Sequence, residues 1–405
     1  MTQPRAVSML SLALPYGYAL LMPLLPLLIE LADVLPRGVA VVGEGFATAL
    51  AAIVVVICVL GIFGSIGSSG WRELIRMPVM WALGALIATA IIATIVGLSW
   101  HAGIFEIGCE IGDALGFCVM WLTLRDERVR RTFLSLFFVS GICACAFAIA
   151  LTLSRHPPAA FAYEHGRAAG TFLQPNEFAG YLLFLIPIGA AQFASTPWLK
   201  RLGIGAAAIG TVAIAMSASR AAILGLLIAL PILARRFGKR TLLVYCIGAV
   251  IALGLGLTVL RNVAHDPSEN ASRIAVWRGA ARMAERFALT GVGPVAFNVA
   301  YPYYKMPDAQ IDEVHAHDLP LNVLIENGVL GLGALIFCVV ACVSAARKGA
   351  KNIAPPDDER GLLFAALTTS FVASAVQNSV DLVTTFVFLM WWPMMGLMLG
   401  MTREP

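Results

Sequence analysis

Apolar and polar positions are distributed along this chain in long blocks, with runs of about twenty apolar residues separated by short charged connections. A helix of that length crosses the hydrocarbon core of a bilayer with every backbone N–H and C=O satisfied inside its own segment. The pattern predicts twelve helices, at about 7–31, 39–64, 77–99, 103–123, 132–153, 176–194, 202–218, 221–234, 241–260, 319–345, 361–380 and 383–402. The first run is long for the apolar region of a signal peptide and is read as a retained span. The expected fold is an all-α polytopic membrane protein forming one integral domain over residues 1–405. Neither an internal repeat nor an appended soluble domain is evident.

Composition agrees with this reading. The chain is 59% hydrophobic and 13% charged, against about 25% charged for a soluble domain. All eight cysteines fall in apolar segments and none forms a CxxC pair. They are read as small buried hydrophobes, neither disulfides nor zinc ligands.

The placement of charge sets an orientation. With the N-terminus cytoplasmic, 18 of the 28 lysines and arginines fall on inside segments, as the positive-inside rule requires, and the C-terminus is also inside. The remaining ten are not scattered. Nine lie in or beside two outer loops, 154–175 and 261–318, and the tight turn at Arg220. Cationic groups held against a bilayer are costly unless they bind something.

In the first loop, Gly166 and Gly170 permit tight turns around Arg167, and Pro175-Asn176 leads into the next helix. An Arg167 snorkelling to lipid phosphates is the plainer alternative. Ser219-Arg220 sits between two apolar runs, so Arg220 lies at the surface or in a polar cavity. In the long loop, Ser272 is a candidate N-cap, and Arg278, Arg282 and Arg286 recur every four residues on one helical face. Ile274, Trp277, Ala281 and Ala284 line another face, suited to lying on the membrane, and an interfacial helix explains the pattern as well as a substrate site does. Arg273 is on a different face, less easily explained by lipid contact. Guanidinium groups match phosphate oxygens in bidentate geometry, which makes a pyrophosphate their natural ligand.

Further along, Tyr301, Tyr303 and Tyr304 offer rings for sugar faces or for interfacial anchoring. His315 and His317 have no obvious third metal ligand nearby; a histidine titrating near neutrality suits proton transfer from a sugar hydroxyl. Gly328 and Gly331 are read as positions of close helix packing. Glu106, Glu110 and Asp113 fall at i, i+4 and i+7, forming an acidic stripe in the outer half of a helix. This stripe is read either as a partner for the arginines or an acceptor sugar, or as mutual structural pairing.

Four blocks together resemble the O-antigen ligase and polymerase superfamily of bacterial envelopes. They are Arg167 with Gly170-Thr171-Phe172 and Pro175-Asn176; Ser219-Arg220-Ala221; Arg273 through Trp277 to Thr290-Gly291-Val292-Gly293; and His317 followed at the family's spacing by Gly328 and Gly331. The resemblance covers roughly 160–335. Asp318 departs from the Asn, Ser or Gln that usually follows the histidine in ligases.

The resemblance implies a GT-C-like glycosyltransferase of about twelve transmembrane helices, with short helices in a long periplasmic loop. It implies a bacterial inner-membrane location, a periplasmic active site, and no cofactor, metal or nucleic acid. The donor would be a glycan on undecaprenyl pyrophosphate, transferred en bloc to a lipid A–core sugar, with membrane lipids around both. Extension of lipid-linked repeats by a polymerase is the alternative, and secondary transport a more distant one. The catalytic candidates are His317, His315, Arg273 and Arg220; the substrate-binding candidates are Arg167, Arg278, Asn176, Glu110 and Tyr303.

Overall fold

The computed structural model describes residues 9–24, 68–154, 166–172, 174–240, 243, 267–307, 309, 313–353, 358–383 and 385–403. The expected spans at 39–64 and, apart from Leu243, 241–260 lie outside the described residues, as do Arg37, Arg155 and Arg261.

All regular structure among the described residues is helical. The helices are α1 (Met9–Leu21), α2 (Ser68–Ile75), α3 (Pro78–Val96), α4 (Trp100–Thr123), α5 (Glu127–Leu153), α6 (Pro175–Ala191), α7 (Pro197–Ser217), α8 (Arg220–Ala234), α9 (Pro267–Arg286), α10 (Phe297–Tyr304), α11 (Leu319–Ala350), α12 (Glu359–Asn378) and α13 (Thr385–Gly400). Prolines in the first turn start α3, α6, α7 and α11, where a missing N–H costs nothing. Asp126 and Asp358 cap α5 and α12 through the backbone N–H groups of Arg128, Val129 and Gly361.

Six helices, α3, α5, α6, α7, α11 and α12, are long and apolar enough to cross a membrane, so the chain is a multi-pass membrane protein. The 24 residues of α4 carry three acids. The helices α8 and α13 have 15 and 16 residues, short of the roughly 20 that a perpendicular span needs.

Two cores organise the bundle. One joins α1, α5, α6, α7, α8 and α12, and the other joins α3, α4 and α11, with α13 contributing to both. The axis of the first is α6, with 83% of its span buried against protein. Tyr181 on α6 stacks among Phe137 and Phe172. A helix enclosed by other helices has its ends fixed, and the end at Pro175-Asn176 is where the candidate site begins.

Between α8 and α11 the chain builds a small third core. Val276, Ala280 and Met283 of α9 pack on Phe297, Ala300 and Tyr301 of α10 and on Ile325 of α11. Helix α9 starts at Pro267, so Ser272 lies inside it and is not its N-cap. Proline suits a first helical position because its φ is already helical.

This core is pinned by a break in α11. Gly328 has φ +67° and ψ −167°, a conformation essentially restricted to glycine. Across the break Val329 donates to Ala288, while Val292 and Gly293 donate to Ile325 and Glu326, at 2.8, 2.8 and 2.9 Å. A Cβ on Gly328 would stand 2.2 Å from the Leu289 carbonyl oxygen, and one on Gly291 2.2 Å from that of Glu326. Gly328 thus serves backbone-to-backbone docking of the 288–293 loop, a tighter requirement than the helix packing read from its sequence. Leu98, just past α3, donates to Val292 at 2.8 Å. The long loop is thereby bolted to two spans.

Candidate functional site

The turn from 313 to 318 carries the centre of the site. His317 has φ +54°, a left-handed conformation that costs a residue with a Cβ about 1–2 kcal/mol. Three hydrogen bonds hold it there: Trp277 Nε1 donates to the Ala316 carbonyl (2.9 Å), the Ala316 N–H donates to Asn322 Oδ1 (3.0 Å), and the Leu321 N–H donates to Asp318 Oδ1 (2.8 Å). At about 0.5–1.5 kcal/mol each, together they outweigh the strain. Trp277 therefore faces this turn and not the membrane. Asp318 is the N-cap of α11, so an aspartate does there what Asn or Ser does in the same position of a helix.

The twist turns the His317 ring between two carboxylates. Nε2 is 3.0 Å from Glu313 Oε2, and Nδ1 is 3.7 Å from Asp381 Oδ1, an ion-pair distance too long for a hydrogen bond. Asp381 follows the end of α12 and also accepts from Arg273 Nη2 at 3.2 Å, while Arg273 Nη1 donates to the Val380 carbonyl at 3.1 Å. The order Arg273, Asp381, His317, Glu313 alternates positive and negative groups across three chain segments.

Burial pushes the pKa of His317 down, but the facing carboxylates of Asp381 and Glu313 push it up by more, and it ends above the usual histidine value. The Glu313 carboxyl, hydrogen-bonded to His317, is held below its usual value despite burial. His315 goes the other way, to about 4, through burial and then the neighbouring His317 charge. Its Nδ1 accepts from the His317 backbone N–H at 3.3 Å, and the two rings meet edge-on with centroids 4.4 Å apart. A neutral His315 bonded in this way shapes the turn.

The first-loop block joins the same end of the bundle. Arg167 donates from Nε to the Ser217 carbonyl and from Nη2 to Asn176 Oδ1, both at 2.9 Å. The Ser217 carbonyl is one of those left free where α7 ends at Ala218, itself left-handed at φ +52°. Gln377 donates from Nε2 to the Asn176 carbonyl at 2.9 Å. Four residues on stands Asp381. The C-terminal turn of α12 thus ties Arg167 and Asn176 on one side to Arg273 and His317 on the other.

Arg220 is exposed at the first position of α8. A Cβ on Gly225 would stand 2.4 Å from the Ala373 carbonyl oxygen. Helices α8 and α12 run antiparallel through that crossing, so Arg220 and Asn378, each five residues from it, lie level at the site's end. Other candidates are not gathered in. Arg278 is exposed about 140° around α9 from Arg273. Tyr303 is 86% exposed, whereas Tyr301 is buried in the small core. Glu110 lies on α4, and Glu110 Oε2 and Asp113 Oδ1 are buried with no hydrogen-bond partner among the described residues.

Asp381, Glu313 and Gln377 were not among the sequence candidates. Asp381 had a readable signal, a lone acid in a two-residue gap between apolar runs. Gln377 had only its polarity inside an apolar run. Among the described residues no group of three or more His, Cys, Asp or Glu is arranged to hold a metal ion. The six described cysteines are free thiols.

Comparison with known proteins adds an independent observation. No curated protein matches the chain. Residues 205–336, about a third of it, match the family model described as O-antigen ligase. The matched segment takes in Arg220, Arg273, His315 and His317, and leaves out Arg167, Asn176 and Asp381. Over residues 205–336, the stretch that holds the left-handed histidine turn and the arginine that shares its carboxylate, the chain is similar to the O-antigen ligase family.

Proposed function

We propose that this protein is a membrane glycosyltransferase that moves a glycan en bloc from undecaprenyl pyrophosphate to a sugar of lipid A–core, on the periplasmic side of the bacterial inner membrane. The observation that carries the reading is the meeting of Arg273, Asp381, His317 and Glu313 at the bundle end that also holds Arg167, Asn176 and Arg220.

In this reading the donor's diphosphate lies against Arg220 and Arg273. A guanidinium has five N–H donors, and Arg273 uses one on Asp381 and one on Val380. The others face the negative charge that grows on the leaving phosphate as the glycosidic C–O bond breaks. Arg167, committed to Ser217 and Asn176, fixes the wall of the site. Glu313 accepts a hydrogen bond from the Nε2–H of neutral His317, which leaves the Nδ1 lone pair to accept the proton of the acceptor hydroxyl. Attack from the face opposite the diphosphate inverts the anomeric carbon.

Reconstitution with a defined lipid-linked donor and both acceptors, lipid A–core and a second lipid-linked repeat, tests the assignment. Wild type is expected to load lipid A–core and to give an inverted linkage, with Arg273→Ala and His317→Ala defective. Lengthening of lipid-linked repeats without transfer to lipid A–core would assign a polymerase. Substrate accumulation in vesicles with no covalent product would assign transport.

A further inference from the structure

At the opposite end of the bundle, three helices that reach the site come together again. Helix α3 runs from Pro78 to the contact with Val292, α11 runs from Asp318 to Gly349, and α13 starts just beyond Asp381 and ends at Gly400. The 32 residues of α11 set the two ends about 45 Å apart. Between their far ends and α2 lies a cavity of about 650 Å³.

Its charge is one-sided. Arg72, Arg76, Lys348 and Arg403 line it, with Glu73 the one acid. Both Glu73 oxygens are taken by arginines: Oε1 is 2.9 Å from Arg403 Nη1, and Oε2 is 3.3 Å from Arg125 Nη2. Arg125, outside the lining, lies 3.5 Å over the Trp121 ring. Among the described residues Arg72, Arg76 and Lys348 have no acidic partner. They come from α2, the turn after it and the last turn of α11, and converge on one space. Like charges so placed repel one another unless an anion lies between them. A general excess of cations at this membrane face accounts for their number but not for their convergence.

The remaining walls mix the apolar Met77, Pro78, Ala345 and Leu399 with the polar Ser344, Asn352 and Thr402. Val340, four residues before the lining residue Ser344 on α11, is 56% exposed, and Val339 and Val343 are 53% and 43% exposed. A cationic cup opening onto an apolar helix face has the chemistry of a phosphodiester headgroup with its chains attached, and basic pockets between spans on the inner face bind such headgroups. We propose that this cavity binds the headgroup of an anionic phospholipid in the leaflet opposite the glycan-transfer site.

The test places the full chain in nanodiscs of phosphatidylcholine alone or with phosphatidylglycerol, and counts lipid retained after extraction by native mass spectrometry. One phosphatidylglycerol per chain is expected to stay bound. Arg76→Gln with Lys348→Gln should weaken that retention about thirtyfold, since each cation near a surface contributes about a factor of five. The exchange Arg76→Lys with Lys348→Arg, which keeps both charges, should preserve it. Lys239→Gln with Arg240→Gln, two cations at the same end of the bundle, should leave it unchanged. Equal retention of both lipids, equal loss in both glutamine pairs, or full competition by millimolar inorganic phosphate would overturn the proposal. The glutamine variants lie far from the transfer residues, so the result stands whatever reaction the other end catalyses.

Discussion

Two groups of acidic side chains in this protein differ in their surroundings in a way that separates their roles. Glu313 and Asp381 share their site with two cationic groups, Arg273 and His317, at 3.0–3.7 Å. The stripe on α4 has none: among the described residues Glu106, Glu110 and Asp113 form no ion pair, and two of their oxygens are buried without a partner. The first arrangement fixes a geometry and sets a protonation state. The second is a cost the fold carries with no visible compensation. Proximity of acids marks a reactive centre only where opposite charge orders them.

The sharpest way to break this contrast is at its centre. His317→Ala should lower transfer by about 10²–10⁴, measured as product per enzyme in the two-acceptor assay with protein level unchanged. Arg273→Ala should cost about 10²–10³, the usual loss when one donor to a developing oxyanion is removed, with the rate constant falling more than donor affinity. Asp381→Asn keeps the shape but removes the charge that Arg273 and His317 share. A charge-assisted hydrogen bond worth about 1.5–3 kcal/mol converts to a loss of roughly 10- to 100-fold. A loss below threefold would show that Asp381 is only a neighbour.

Acidity gives a subtler test. His317 must be neutral to accept a proton, and its pKa is raised above 6.5, so the transfer rate should climb as pH rises through a midpoint above 6.5. Stability moves the opposite way. A raised folded pKa stabilises the charged turn below the unfolded value, and that contribution is lost as pH climbs through the folded value. Hydrogen exchange of the 313–318 amides should therefore quicken over the same range in which activity grows. Glu313→Gln should shift both midpoints downward. The smallest effect is expected on α4. Glu110→Gln should lower transfer less than about tenfold, roughly 1.4 kcal/mol, at normal protein level, and unchanged turnover would assign the stripe to packing.

Much of this arrangement was legible in the chain. Helices α3 to α8 and α11 to α13 begin and end within a few residues of the apolar runs, because lipid leaves the backbone few alternatives. Arg273 and His317 stood out because their polarity had no local reason. The partners that organise them were hidden. Arg273 and Asp381 are 108 residues apart, and no periodicity links them. The left-handed turn at His317 depends on Trp277 and Asn322 arriving from two other helices. Gly328 reads as a small packing residue until the 288–293 loop lies across it.

The enclosure of α6 and α12 bears on how the protein is made. With 83% and 72% of their spans covered by protein, these two helices bury Ser370, Ser374, Gln377 and Asn378, together with Gln192 just past the end of α6. Such side chains are poor companions for acyl chains, so during biogenesis both segments need neighbours already in place at the translocon exit before they settle. Membrane insertion of either alone should be inefficient, and the candidate site, whose two halves are joined through the last turn of α12, would be among the last parts of the molecule to take shape.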